Sequence, residues 1–83
     1  MIRLIYFSWV RERIGVAEEV LELGASEPLS TLIDRLRARS AGHAAALADP
    51  SRLRAAINQD FAGMEALVHP GDEVAIFPPV TGG

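Results

Sequence analysis

Leu29, Leu32, Ile33 and Leu36 stand at i, i+3, i+4 and i+7, the clearest helical signal in the chain's 83 residues. A helix with one apolar stripe must lay that stripe on another layer. The flanking sequence offers short strands rather than further long helices. Ile2 to Phe7 is a dense apolar run with β-branched and aromatic members, and Glu18 to Leu23 alternates in part. Gly15 lies between these two, which predicts a hairpin. Pro28 is expected in the first turn of the helix, with Ser26 or Ser30 as its cap, and Gly42 as its stop. Arg35, Arg37 and Arg39 gather at the helix end where cations suit the dipole.

Trp9 to Ile14 fits only a short helical turn, and His43 to Leu47 a second short helix ended by Asp49-Pro50. Leu53 to Asn58 reads as a third strand, Gln59 to Gly63 as a turn into a short fourth, and Glu73 to Phe77 as the last. His69-Pro70-Gly71-Asp72 is turn chemistry, and Pro78-Pro79 ends the final strand because proline cannot donate to a ladder. The order β-β-α-β-β-β, with extra helical turns, puts one main helix across one mixed sheet. That is an α+β, β-grasp arrangement. A chain this short buries only about 60–65% of its extended surface, so it has room for one core. Residues 1–77 are expected to form that domain, and 78–83 a flexible tail.

Composition narrows the chemistry. With no cysteine, disulfides, thiolate metal sites and thiol nucleophiles are ruled out. The net charge of −3 argues against nucleic acid or an acidic membrane as partner. No apolar run approaches the roughly 20 residues that span a bilayer, and the first residues lack a signal peptide's long apolar region, so a cytoplasmic protein is expected. His43 and His69 are far apart, each beside turn residues, and are expected in solvated or capping roles; no metal site is predicted. Glu18-Glu19 and Asp72-Glu73 alternate faces and would not converge on one substrate. The helix arginines read as a solvated face. No bound cofactor is expected.

The tail is different. Phe77-Pro78-Pro79-Val80-Thr81-Gly82-Gly83 starts in a strand and stops in two glycines. A carboxylate becomes an acyl donor only once it is converted to a mixed anhydride, and for that the chain end must reach another protein's nucleotide site. Glycine keeps the thread slim and free in φ, and Pro78-Pro79 holds its base extended. All eight basic residues are arginine, so no side-chain amine on this chain can capture an activated Gly83. A docking patch is also needed. If Leu4, Tyr6, Val74 and Ile76 face the core, then Ile5, Phe7 and Phe77 face outward beside the tail's root.

Three stretches carry a resemblance. Phe7-Ser8-Trp9-Val10-Arg11-Glu12 followed by Gly15, then Ala56-Ile57-Asn58-Gln59, and then Gly71 through Gly83 resemble, along essentially the whole chain, the small sulfur-carrying subunit of molybdopterin synthase, a ubiquitin-like family. The resemblance implies that an E1-like adenylyltransferase uses ATP to adenylate the Gly83 carboxylate. Sulfur from a donor then replaces AMP to give a thiocarboxylate. The tail, Pro78, Pro79, Val80, Thr81 and Gly82, would enter the large catalytic subunit, where the sulfur helps to build the dithiolene of molybdopterin. The large subunit would supply the catalytic side chains, in a heterotetramer. Phe7, Arg11, Phe61 and Phe77 match family contact positions.

A thiamine-pathway sulfur carrier has the same fold and tail chemistry with a different acceptor, but its tail is usually poorer in proline. A protein-conjugating ubiquitin-like modifier would instead form isopeptides with lysines on its targets.

Overall fold

The computed structural model of the chain describes residues 1–79. The elements run β1 (Ile2–Tyr6), α1 (Ser8–Ile14), β2 (Glu18–Leu21), β3 (Glu27–Pro28), α2 (Leu29–Arg37) and α3 (Ala41–Ala46). A 3₁₀ turn (Pro50–Arg52), β4 (Arg54–Ile57), β5 (Asp60–Ala62), β6 (Leu67–Val68) and β7 (Glu73–Phe77) follow. Five strands make one mixed sheet in the order β2-β1-β7-β4-β5, with β1 and β7 parallel at its centre and the other pairs antiparallel. This is the β-grasp fold. Among the described residues, no helix is long and apolar enough to cross a membrane.

The expected stripe of α2 is the centre of the core. Leu29, Leu32, Ile33 and Leu36 are all buried, against Ile2, Leu4 and Tyr6 of β1 and Val74 and Ile76 of β7. Strand alternation therefore decides which side chains are left on the other face.

The start of α2 differs from expectation. Pro28 is its N-cap and belongs to β3, and no side chain caps the helix. Neither Ser26 nor Ser30 is needed, because a loop supplies the acceptors. The Leu29 N–H donates to the Ala66 carbonyl and the Ser30 N–H to that of Met64, each at 2.9 Å. The small β3–β6 sheet holds that loop in place, pairing Glu27 with Val68 and Pro28 with Leu67. Two-residue strands have no periodicity to read.

Gly42 does not stop α2, which ends at Arg37; it lies inside α3. A Cβ there would sit 2.4 Å from the Arg13 carbonyl oxygen, so glycine is what lets α3 press against the end of α1. Segment 8–14 is a two-turn helix rather than a turn, closed by Gly15 at φ 99°, whose N–H donates to the Arg11 carbonyl at 2.8 Å.

His43 is buried, contrary to a solvated role. Its backbone N–H donates to Ser40 Oγ, the α3 cap, at 3.1 Å, and its Nδ1 lies 2.7 Å from the same hydroxyl. Nε2 lies 2.5 Å from Glu19 Oε2, which also accepts from the Tyr6 hydroxyl at 2.7 Å. Burial pushes the Tyr6 hydroxyl far above the usual phenol range, and the bond to Glu19 adds to the shift. Burial alone would raise the Glu19 carboxyl. The hydrogen bonds from His43 and Tyr6, with the charges of His43 and Arg39, outweigh it and hold that carboxyl below the usual glutamate range. This network ties α3 to the β1–β2 hairpin. His69 is exposed, its Nδ1 2.5 Å from Ser26 Oγ.

Candidate functional site

The face of the sheet turned away from α2 is built by register. Ile5 of β1 is opposite Ala75 of β7, Ala75 opposite Ala56 of β4, and Ala56 opposite Phe61 of β5. One apolar row thus crosses four strands. Beside it lie Phe7, next after β1, and Phe77, the last residue of β7, whose register partner on β4 is Arg54. The Phe7 and Phe77 rings meet edge-to-face at 6.5 Å between centroids, and Phe61 tilts onto Phe77 at 6.0 Å. Phe61 is 85% exposed and Phe7 46%. Three phenyl rings, all the phenylalanines of the chain, therefore cluster where β7 gives way to Pro78 and Pro79. Water is a poor neighbour for such a surface.

A hollow of about 380 Å³ opens in this patch between Phe61 and Phe77, with Arg54, Ala55, Ala62 and Gly63 completing its wall. The turn that aims Phe61 is Asn58-Gln59. Both residues have positive φ, 51° and 73°, as a two-residue hairpin with the twist of its strands requires. Asn58 then locks the hairpin to β7: its side-chain oxygen accepts from the Glu73 N–H at 3.0 Å and its Nδ2 donates to Asp72 Oδ1 at 2.9 Å. The His69 N–H and that Asn58 bond together hold the Asp72 carboxyl below its usual range. At the far end of the face, Arg3 lies 3.4 Å from Glu18 and 3.3 Å from Glu73, an ion-paired group remote from the rings.

Of the residues singled out in the sequence, the structure brings Phe7, Phe61 and Phe77 together. Arg11 stands on α1, exposed, and no hydrogen bond or ion pair ties its side chain to the patch among the described residues. Pro78 and Pro79 follow β7 outside regular structure and are half-buried. Val80, Thr81, Gly82 and Gly83 lie outside the described residues. Arg54 and Gly63, which wall the hollow, were not foreseen. Strand alternation from Ala56 would have put Arg54 on the outer face; Gly63 has no such signal. Among the described residues, no group of three or more His, Asp or Glu side chains is placed to hold a metal ion.

Comparison with known proteins agrees with the fold. The molybdopterin synthase sulfur carrier subunit of Escherichia coli K12 is 40% identical over 84 residues, covering 100% of both chains. The protein of the same name from Haemophilus influenzae is 34% identical, again over 100% of each chain. Among solved structures, a putative molybdopterin converting factor subunit 1 from Pyrococcus furiosus superposes with a TM-score of 0.79 at 26% identity, covering 95% of this chain and 97% of the other. The ThiS family matches residues 4–83, nearly the whole sequence, and the chain belongs to that family.

Proposed function

We propose that this chain is the sulfur-carrying subunit of a molybdopterin synthase, and that its working group is the carboxylate of Gly83. The observation that carries the reading is the full-length likeness to two subunits of that name, together with a clustered aromatic surface at the root of the segment Phe77 to Gly83. An E1-like adenylyltransferase would spend ATP to form the Gly83 acyl-adenylate, and a sulfur donor would displace AMP to leave a thiocarboxylate. Thiocarboxylate sulfur is a stronger nucleophile at neutral pH than carboxylate oxygen. The tail then enters the large subunit in the cytoplasm, and that subunit supplies the catalytic side chains for building the dithiolene. Phe7, Phe61 and Phe77 serve as the handle that both proteins grip, and Arg11 adds a charged contact. Two carriers on a large-subunit dimer make the assembly a heterotetramer.

The test is intact mass after co-expression with the cell's sulfur machinery. Replacement of one oxygen by sulfur at Gly83 is expected. An end that stays unmodified with the activating enzyme, ATP and a sulfur donor present would refute the reading. Capture of the large subunit by the charged carrier then separates the molybdopterin acceptor from any other.

A further inference from the structure

Eight arginines are the chain's only basic residues besides two histidines, and they fall into two sets. Arg3, Arg35, Arg37 and Arg39 each sit within ion-pair distance of a carboxylate: Glu18 and Glu73, Glu27, Asp34, and Glu19 respectively. Arg11, Arg13, Arg52 and Arg54 have no carboxylate within ion-pair distance among the described residues, although the Arg52 charge still reaches Asp49 and helps to hold its carboxyl low. The four without one come from α1 and from the stretch running into β4, the segments that frame the end of the sheet where β7 finishes.

Two of them converge on one ring. Arg13 Cζ lies 4.6 Å from the centroid of Trp9, and Arg52 Cζ 5.5 Å from it. The indole face offsets part of each charge. Both guanidinium groups are exposed, repel one another, and keep N–H donors whose planar fork matches a carboxylate. The register puts the cluster at the same end of the sheet as the aromatic patch, with the Trp9 ring packed against the core. Trp9 is two residues beyond Phe7, whose ring packs on Phe77, and Arg52 is two residues before Arg54, the register partner of Phe77. An apolar centre with a charged border is the anatomy of a protein interface. On a chain of net charge −3, a locally cationic border also gives direction to an encounter.

We propose that Trp9, Arg13 and Arg52 form a second contact area of the carrier, which takes acidic side chains of the large synthase subunit beside the opening that admits the tail. The inference rests on the sulfur-carrier reading and deepens it. The aromatic patch supplies most of the affinity, and the arginine pair sets the speed and orientation of docking.

The experiment measures association of the purified carrier with its large subunit at about 50 and 300 mM salt, where screening differs strongly. The unaltered carrier should associate roughly tenfold faster at the lower salt. The double variant Arg13→Gln/Arg52→Gln should lose most of that salt dependence and associate at least about fivefold more slowly at low salt, converging with the unaltered carrier at high salt. Arg13→Lys/Arg52→Lys keeps the charge and should keep the salt dependence. A Gln pair with the unaltered rate and salt slope overturns the proposal. So does a loss of binding that is equal at both salts and not rescued by the Lys pair, since that would make the stacking on Trp9 purely structural. A salt-dependent loss seen only with the activating enzyme overturns the choice of partner. Absence of any binding by the unaltered carrier would instead refute the sulfur-carrier reading itself.

Discussion

Phe61 offers a sharp test of the aromatic patch because the free chain hardly uses it. Its side chain is 85% exposed, and its ring contact is with Phe77 at 6.0 Å. An aromatic side chain carries about 150–250 Å² of surface, so about 130–210 Å² of Phe61 is open to water. Burying that area against a partner is worth about 3–5 kcal/mol at 25 cal/mol per Å². Fixing the side chain returns about 0.5–1.5 kcal/mol of it. Phe61→Ala should therefore weaken binding to the large subunit by about 2–4 kcal/mol, a factor of roughly 30 or more in Kd. The isolated chain loses one aromatic pair, about 0.5–1.5 kcal/mol, and its Tm should fall by less than about 10 °C. Titration calorimetry of the variant against the large subunit, with a parallel thermal melt, reads both quantities. A Kd within about threefold of the unaltered chain, or a collapse in Tm beyond that bound, would refute the assignment of this ring to an interface.

Gly42→Ala sets two effects against each other: better helix propensity gains about 1 kcal/mol, while a Cβ placed 2.4 Å from the Arg13 carbonyl forces α3 off α1 at about 1–3 kcal/mol. A net fall of several degrees in Tm is expected, with Gly24→Ala, where nothing lies within 4 Å, neutral or slightly stabilising; an unchanged or higher Tm for Gly42→Ala refutes the close approach. Glu19 and Asp72 have folded-state values below their ordinary ones, so between the two values the unfolded chain binds more protons. Their stabilisation is complete above about pH 4.5 and is lost as pH falls through the lowered values. Urea midpoints across that acid window should decline, less steeply in Glu19→Gln; a flat profile refutes the network. Deleting Gly83, or adding one residue after it, should abolish molybdoenzyme activity in cells while leaving the thermal melt unchanged, and activity surviving the deletion would refute the carrier role.

The parts of the fold set by side-chain period were legible. The alternation in β1 and β7 put Leu4 with Tyr6, and Val74 with Ile76, on one face, opposite Phe7 and Phe77, and the structure buries all four against the α2 stripe. With that face in the core, Phe7 and Phe77 are the ones left outside. Phe61 was placed by resemblance alone, since its orientation depends on a hairpin turn at Asn58-Gln59 rather than on any local pattern. What stayed hidden was satisfied by tertiary partners. The start of α2 lacks a side-chain cap because the Met64 and Ala66 carbonyls do that work across more than thirty positions. Gly42 has the look of a helix stop and is a contact surface. His43 stood beside turn residues, yet Glu19, itself bonded by the Tyr6 hydroxyl, reaches it from the β1–β2 hairpin. Long-range hydrogen bonds leave no trace in a window of neighbouring residues.

The parallel pairing of β1 with β7 has a practical consequence. Arg3 is level with Glu73 and Tyr6 with Ile76, while the Met1 carbonyl accepts from Gly71. Met1 thus lies beyond the Glu73 end of β7, more than that strand's length of about 16 Å from the place where Pro78 departs. A fluorophore, surface tether or fused reporter attached at the amino end would point away from the delivery end, so kinetic instruments that need an anchored molecule can hold this one without obstructing its traffic.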